Sequence, residues 1–287
     1  MNFTKDTNIL IIGLGVIGGS YASALTKAGY KVSCITKKQE DIEYALKNNM
    51  IFQGTTELDK KMIADASLII FALYPTVFID WIEKNQSLFS PGALITDVTG
   101  VKGSVVNRVQ DILRKDVEFI SAHPMAGRER SGVEYSDPTV FKGANYIVTP
   151  TKKNSPEAIE ICKDLGKVLG FSRISELSIE KHDKMIAFLS QLTHCIAVSL
   201  MNCNETPELE KYTGDSFRDL TRIAKINDKM WSELFLMNKS ALLAEMDSFI
   251  KEFTDFRNLI ENNNTEKLRE KMRASTKRRA LFDKPKA

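Results

Sequence analysis

Three groups of residues in this sequence carry chemistry. The first is Gly13-Leu14-Gly15-Val16-Ile17-Gly18, a G-x-G-x-x-G that follows a short apolar run and opens a stretch with helical spacing. In that setting Gly13 allows a tight turn, Gly15 lets the backbone approach a pyrophosphate, and Gly18 lets helix and strand pack closely. The phosphates of a dinucleotide would rest on the helix N-terminus, where free N–H groups and the helix dipole favour negative charge. The second is His123-Pro124, directly after an apolar run. A residue before proline is held extended, and a neutral imidazole so placed can accept a proton from a hydroxyl. By itself, a histidine at a strand end is as readily structural as catalytic. The third is Arg218 and Arg222, spaced so that on one helix two guanidinium groups share a face and can clamp a dicarboxylate.

The cofactor end can be read further. A Rossmann domain usually carries an acidic residue at the end of its second strand, where it accepts hydrogen bonds from the adenosine ribose. Here that position is Thr36, followed by Lys37 and Lys38. A hydroxyl with two ammonium groups suits the 2′-phosphate of NADP, so NADP is expected in preference, with NAD as the alternative. Glu40 or Asp41 folding back to the ribose would favour NAD. Leu73 and Tyr74, within Phe71-Ala72-Leu73-Tyr74-Pro75-Thr76, end another strand and are expected to line the cofactor cleft.

Taken together, the glycine motif, the D-x-x-x-V-K turn from Asp97 to Lys102, H-P-M-A-G-x-E-x-S-G from His123, His182-Asp183, His194, and Phe217-Arg218-Asp219-Leu220-Thr221-Arg222-Ile223-Ala224 resemble the prephenate/arogenate dehydrogenases. The resemblance runs from about residue 8 to at least residue 260. It implies a Rossmann domain followed by a helical dimerisation domain, with the active site in the cleft between them. It gives His123 the role of proton acceptor for the ring hydroxyl of prephenate, and Arg222, with Arg218 beside it, the binding of a substrate carboxylate. It makes His194, otherwise read as a core histidine, a substrate contact, whereas the place of His182 at a domain junction beside Asp183 points to a structural or capping role. One departure stands out: related enzymes often carry a serine where this chain has Gly100, so Thr99 is the candidate to supply that hydroxyl. The implied reaction is oxidative decarboxylation of prephenate to 4-hydroxyphenylpyruvate. The neighbouring alternative is the same chemistry on arogenate, whose ammonium group would call on Glu129. A non-catalytic NAD(P)-sensing protein is the alternative from another class.

Elements that position these residues follow from the apolar pattern. Strands are expected at 8–13, 31–36, 67–73, 93–97, 117–121 and 144–149, with a last one at 171–177, and helices at 16–29, 39–48, 76–84, 101–114 and 156–169. Alternating strands and helices imply a parallel sheet covered on both faces. Residues 179–201 and 229–260 carry long helical periodicity. The fold class is therefore α/β, a Rossmann-type doubly wound domain over 1–176 followed by an all-α domain over 177–287. The segment 185–201 is apolar on most faces, which suits a central helix or one shared between two subunits, so a homodimer is expected. The basic stretch from Arg273 to Ala287 is expected as a solvated tail.

With 40 basic and 37 acidic residues spread along 287, no electrostatic footprint for nucleic acid or a membrane stands out, and the partner is expected to be a small molecule. The four cysteines, Cys34, Cys162, Cys195 and Cys203, lack metal or disulfide spacing and read as buried thiols. No metal is expected. The N-terminus shows no targeting pattern, and a cytoplasmic enzyme is expected.

Overall fold

The computed structural model describes residues 3–127 and 130–283. Its central strand, β1 (Asn8–Ile12), is buried on both faces, and its side chains alternate between two apolar clusters: Ile9 and Ile11 enter one, Leu10 and Ile12 the other. A strand buried in this way must be flanked by other strands and covered by helices on both sides. It pairs in parallel with β2 (Lys31–Ile35) and, further along the chain, with β4 (Leu68–Phe71). Adding β3 (Gln53–Thr55), β5 (Leu94–Asp97) and β6 (Glu118–Phe119) gives an all-parallel six-stranded sheet of order β3-β2-β1-β4-β5-β6. Helices α1 (Val16–Lys27), α2 (Gln39–Lys47), α3 (Lys60–Asp65), α4 (Pro75–Asn85) and α5 (Gly103–Ile112) connect the strands. The strand order reverses between β1 and β4, the switch point where ligands of open α/β sheets bind.

The run expected as one strand at 117–121 is two. It stops after Phe119, and β7 (Ser121–Pro124) starts a second, three-stranded sheet, antiparallel to β8 (Asn145–Thr149), which pairs in parallel with β9 (Arg173–Glu176). Between β8 and β9 lies α6 (Pro156–Leu169), opened by the Ser155 side chain, which accepts from Ala158 N–H, and closed by left-handed Gly170. The short strand β3 has no apolar signature of its own and was not expected.

Beyond Leu177 the described residues are helical. Helices α7 (Ile179–Ile186) and α8 (Thr193–Asn202) are joined by a π-helical turn, Ala187–Leu192. Together they make a 24-residue helix with an 18-residue stretch of mean hydropathy 1.4, long and apolar enough by composition to cross a membrane. Then come α9 (Asp215–Thr221), α10 (Asp228–Met237), α11 (Lys239–Glu261) and α12 (Thr265–Arg279). The chain separates into two compact units, Met1–Lys239 and Ser240–Ala287. Within the second, Phe249 and Phe253 stack along α11, and Lys271 of α12 pairs with Glu252.

Two expectations need correction. Cys34 and Cys162 are buried, but Cys195 is half-buried and Cys203 exposed, because α8 turns its C-terminal end to solvent. The basic stretch after Arg273 is not a tail at its start: α12 continues to Arg279, with Lys277, Arg278 and Arg279 in its last turn, where cations suit the helix dipole.

Candidate active site

The glycine loop has the geometry its sequence requires. Gly13 lies at φ +99°, and a Cβ there would fall 2.5 Å from the Ala72 carbonyl oxygen and 2.8 Å from the Leu73 side chain. At Gly18 a Cβ would fall 2.0 Å from the Gly13 carbonyl oxygen, so helix and turn touch backbone to backbone. Gly15 caps α1 without a side-chain bond, and a Cβ there would meet nothing within 4 Å. The open space beside Gly15 lies at the head of α1, where first-turn N–H groups have no partner within the helix, and this fits a pyrophosphate cradle. Leu73, just past the end of β4, lies against this turn, and Tyr74 beside it caps α4 and accepts from Asn227 Nδ2 at 3.1 Å. Thr36, half-buried, commits its N–H to the Thr55 carbonyl at 3.2 Å, leaving its hydroxyl as the group to present. Lys37 and Lys38 are exposed, Lys38 at the start of α2.

Two strands along from β1, at the same carboxyl edge of the sheet, β5 ends in Asp97, which is fully buried. Its carboxylate accepts from Lys102 Nζ at 3.0 Å, Ser121 Oγ at 2.5 Å, Ala122 N at 3.2 Å, Thr99 N at 3.1 Å and the Thr99 hydroxyl. Lys102, also fully buried, gives its remaining protons to the Ala122 carbonyl at 2.7 Å and Thr99 Oγ1 at 3.3 Å. Burial depresses the Lys102 pKa, while Asp97 pulls the other way. This saturated pair knits the end of β5 to β7 one residue before His123, so the strand end is set by charge-assisted bonds. Thr99, expected to offer a hydroxyl to substrate, instead spends it on Asp97 and the Val101 carbonyl at 3.0 Å. That expectation is corrected: the Asp97-Lys102 pair needs the hydroxyl, and Thr99 is buried.

His123 Nδ1 lies 2.9 Å from His182 Nε2, and His182 Nδ1 lies 2.7 Å from Asp183 Oδ1. Both come from helix α7, begun by the Ser178 side chain. Asp183 also accepts the N–H groups of Lys102 at 2.9 Å and Gly103 at 2.7 Å, and so caps α5. A Cβ on Gly103 would sit 2.9 Å from Asp183 Oδ2, so glycine there admits the carboxylate. Burial would raise the Asp183 pKa, but the bonds from His182, Gly103 and Lys102 hold it below the usual carboxylate value, and Asp183 is ionised. Burial holds His182 below the ordinary imidazole value despite Asp183.

The tautomers follow. An ionised carboxylate can only accept, so neutral His182 keeps its proton on Nδ1 and offers a lone pair at Nε2. His123 must then donate from Nδ1, which leaves its own Nε2 unprotonated. His123 is pushed well below the ordinary imidazole pKa by burial first, then by His182 and Lys102. Nε2 faces Gly100, 3.8 Å from where a Cβ would stand, and Leu234 of α10 closes the same spot. Sequence reading did not find this relay; the adjacency of His182 and Asp183 was its one visible sign.

Helix α10 continues from Leu234 to Trp231, on which His194 of α8 stacks with ring centroids 3.6 Å apart. His194 Nδ1 donates to the Ser190 carbonyl at 2.8 Å, a bond that reaches from α8 back into the π-helical turn. His194 thus rests on Trp231, which precedes Leu234 by three residues on α10 and is a partner the sequence does not announce. Arg222 begins the turn Arg222–Ala224 that packs against α8, one residue past the end of α9. Arg218, within α9, is exposed and pairs with Asp215 at 3.4 Å. Because the α-helix ends at Thr221, the two arginines are not carried on one continuous helix as expected. Glu129 lies outside the described residues. Among the described residues no cluster of histidine, cysteine and carboxylates could hold a metal ion.

Comparison with known proteins adds to this geometry. Residues 21–173 match the model described as prephenate dehydrogenase, nucleotide-binding domain, and residues 178–274 the one described as prephenate dehydrogenase, dimerization domain. A prephenate dehydrogenase of Bacillus subtilis is 33% identical over 93% of this chain and 74% of its own length. A cyclohexadienyl dehydrogenase of Zymomonas mobilis is 30% identical over 96% of each chain. Prephenate dehydrogenase from A. aeolicus, solved with hydroxyphenyl propionate and NAD+, superposes with a TM-score of 0.89 at 32% identity, covering 98% of this chain and 100% of that one.

Proposed function

This chain belongs to the prephenate dehydrogenase family, and on that premise we propose that His123 is the proton acceptor in its oxidative decarboxylation of prephenate. The observation that carries the assignment is the Asp183-His182-His123 relay, which ends in an unprotonated Nε2 beside Gly100 and Leu234.

The nicotinamide, when bound, takes the hydride from the hydroxyl-bearing ring carbon. The chain's own residues handle the rest. His123 Nε2 accepts the hydroxyl proton as that carbon becomes a carbonyl, and Nδ1 stays bonded to His182, which steadies the imidazolium. The ring carboxylate departs as carbon dioxide, and its bonding electrons complete the aromatic ring. The phenolic oxygen then recovers the proton from His123, so no net proton is consumed. Arg222 holds a carboxylate of the substrate, with His194 on Trp231 forming the adjoining wall. Aromatisation supplies the driving force, so the protein's task is orientation and charge.

The cofactor is held by Gly13, Leu14, Gly15, Val16, Ile17 and Gly18 at the phosphates and bordered by Leu73 and Tyr74. NADP is favoured over NAD, supported by Thr36, Lys37 and Lys38 at a position where no carboxylate meets the 2′-phosphate. Helices after residue 177 serve substrate binding and the pairing of two copies, and residues 1–176 serve the cofactor. Catalytic efficiency with each cofactor tests the preference. NADP is expected to win in the wild type, with Thr36→Asp plus Lys37→Ser and Lys38→Ser reversing the order; equal or better use of NAD by the wild type refutes it.

A further inference from the structure

Gly19 and Ser20 follow the glycine motif directly, and by sequence they belong to the cofactor loop. Their surroundings are different. The Gly19 N–H is already given to the Gly15 carbonyl at 2.8 Å. A Cβ on Gly19 would not enter the space that Gly15 faces; it would strike Ser136 at 2.8 Å and Val133 at 3.0 Å. The fully buried Ser20 hydroxyl donates to the Val16 carbonyl at 2.6 Å and accepts the N–H of Asp137 at 2.9 Å. Next along α1, Tyr21 meets Phe141 edge to face, centroids 5.3 Å apart, both rings fully buried. Three consecutive residues of α1 therefore grip the segment Val133–Phe141. Asp137 stiffens that segment from within by accepting Thr139 N–H at 2.9 Å.

This segment is the far anchor of the chain that leaves His123. The near anchor is β7, where His123 and Pro124 pair with Ile147 and Tyr146, and Met125 N–H bonds the Asn145 carbonyl at 2.8 Å. In sequence, eight residues from Met125 to Gly132 join the two anchors. Both anchors are held before any ligand arrives, which lowers the entropy to be spent on placing them on binding.

We infer that Gly19 and Ser20 are positioning residues for the substrate side of the site: they seat the Val133–Phe141 anchor on α1 and thereby fix the far end of the chain that leaves His123, while contributing nothing to the grip on the cofactor. The inference rests on the assignment of His123 to the proton transfer.

The test separates substrate from cofactor. Dissociation constants for NADP and NAD are measured by quenching of protein fluorescence, and KM and kcat for prephenate by cofactor reduction, in the wild type, Ser20→Ala, Gly19→Ala and Gly19→Ala/Ser136→Gly. Ser20→Ala should raise KM for prephenate by roughly two- to tenfold, as for one lost buried hydrogen bond, with cofactor dissociation constants unchanged. Gly19→Ala should raise it further, and removing the opposing side chain in the double variant should restore it towards wild type. Weakened cofactor binding with prephenate KM unchanged would overturn the inference, as would no change in either, or a parallel loss of both. If Gly19→Ala does not fold, Ser20→Ala alone decides between these outcomes. A His123→Asn control that keeps wild-type turnover would defeat the underlying assignment instead, whatever the α1 variants do.

Discussion

At the scale of single residues the reaction turns on the protonation of His123. An imidazole that must be neutral to work loses activity in acid, and burial beside His182 and Lys102 holds this one below its ordinary value. The acid limb of kcat/KM for prephenate should therefore lie below about 6.5, the value for an unperturbed histidine; a limb at or above it would show that Nε2 is not shielded as described. The same shift has a stability consequence. Between the depressed folded pKa and about 6.5 the unfolded chain binds the extra proton, so stability falls as pH drops through that window. Denaturation midpoints against pH should show the slope, and His123→Asn should flatten it. Arg222→Ala should weaken substrate binding by about 1.5–3 kcal/mol, the range for a hydrogen bond to a charged group, with cofactor affinity intact; an unchanged KM for prephenate would remove Arg222 from the site. His123 and Arg222 stand out as candidates in the sequence because their neighbours form motifs. Thr99 was misread because its demand comes from Asp97 and Lys102, whose buried bonds no spacing rule announces.

At the scale of elements, the sequence revealed those whose apolar pattern matches a single period. The strands β1, β2, β4, β5 and β8 and the helix α6 are all of that kind. It could not reveal that the run through Ile120 divides between two sheets, since both halves are buried and the same alternation serves either. Nor could it show that α7 reaches back to cap α5, because the capping carboxylate, Asp183, is 80 residues from Gly103. Yet that cap is what orders the relay: Asp183 fixes the tautomer of His182, and His182 that of His123. Asp183→Asn keeps the size but gains an N–H donor and loses the charge, so it should lower kcat by at least about tenfold, or about 1.4 kcal/mol of barrier. It should also lower the melting temperature through the weakened cap of α5. A variant with reduced stability and unaltered kcat would assign Asp183 to capping alone.

At the scale of the whole molecule, the helices after residue 177 leave many large apolar side chains on the surface of one chain. Phe188 is 52% exposed, and along α11 Ile250 and Phe253 are 57% and 66% exposed. Such surface is expected where a second copy covers it, in keeping with the dimerization domain that residues 178–274 match. Light scattering should give about twice the mass of one chain, and Ile250→Lys with Phe253→Lys should halve it; a monomeric wild type would contradict the pairing. The central claim concerns the reaction itself, and one assay reaches it most directly. Purified protein is given prephenate and NADP, or NAD, and reduced cofactor, carbon dioxide and 4-hydroxyphenylpyruvate are measured together, for the wild type and His123→Asn. The account predicts the three products in equal amounts from the wild type and a turnover lower by roughly a hundredfold or more in the variant, as for loss of a general base. Cofactor reduction without the aromatic product, or a variant as fast as the wild type, would contradict it.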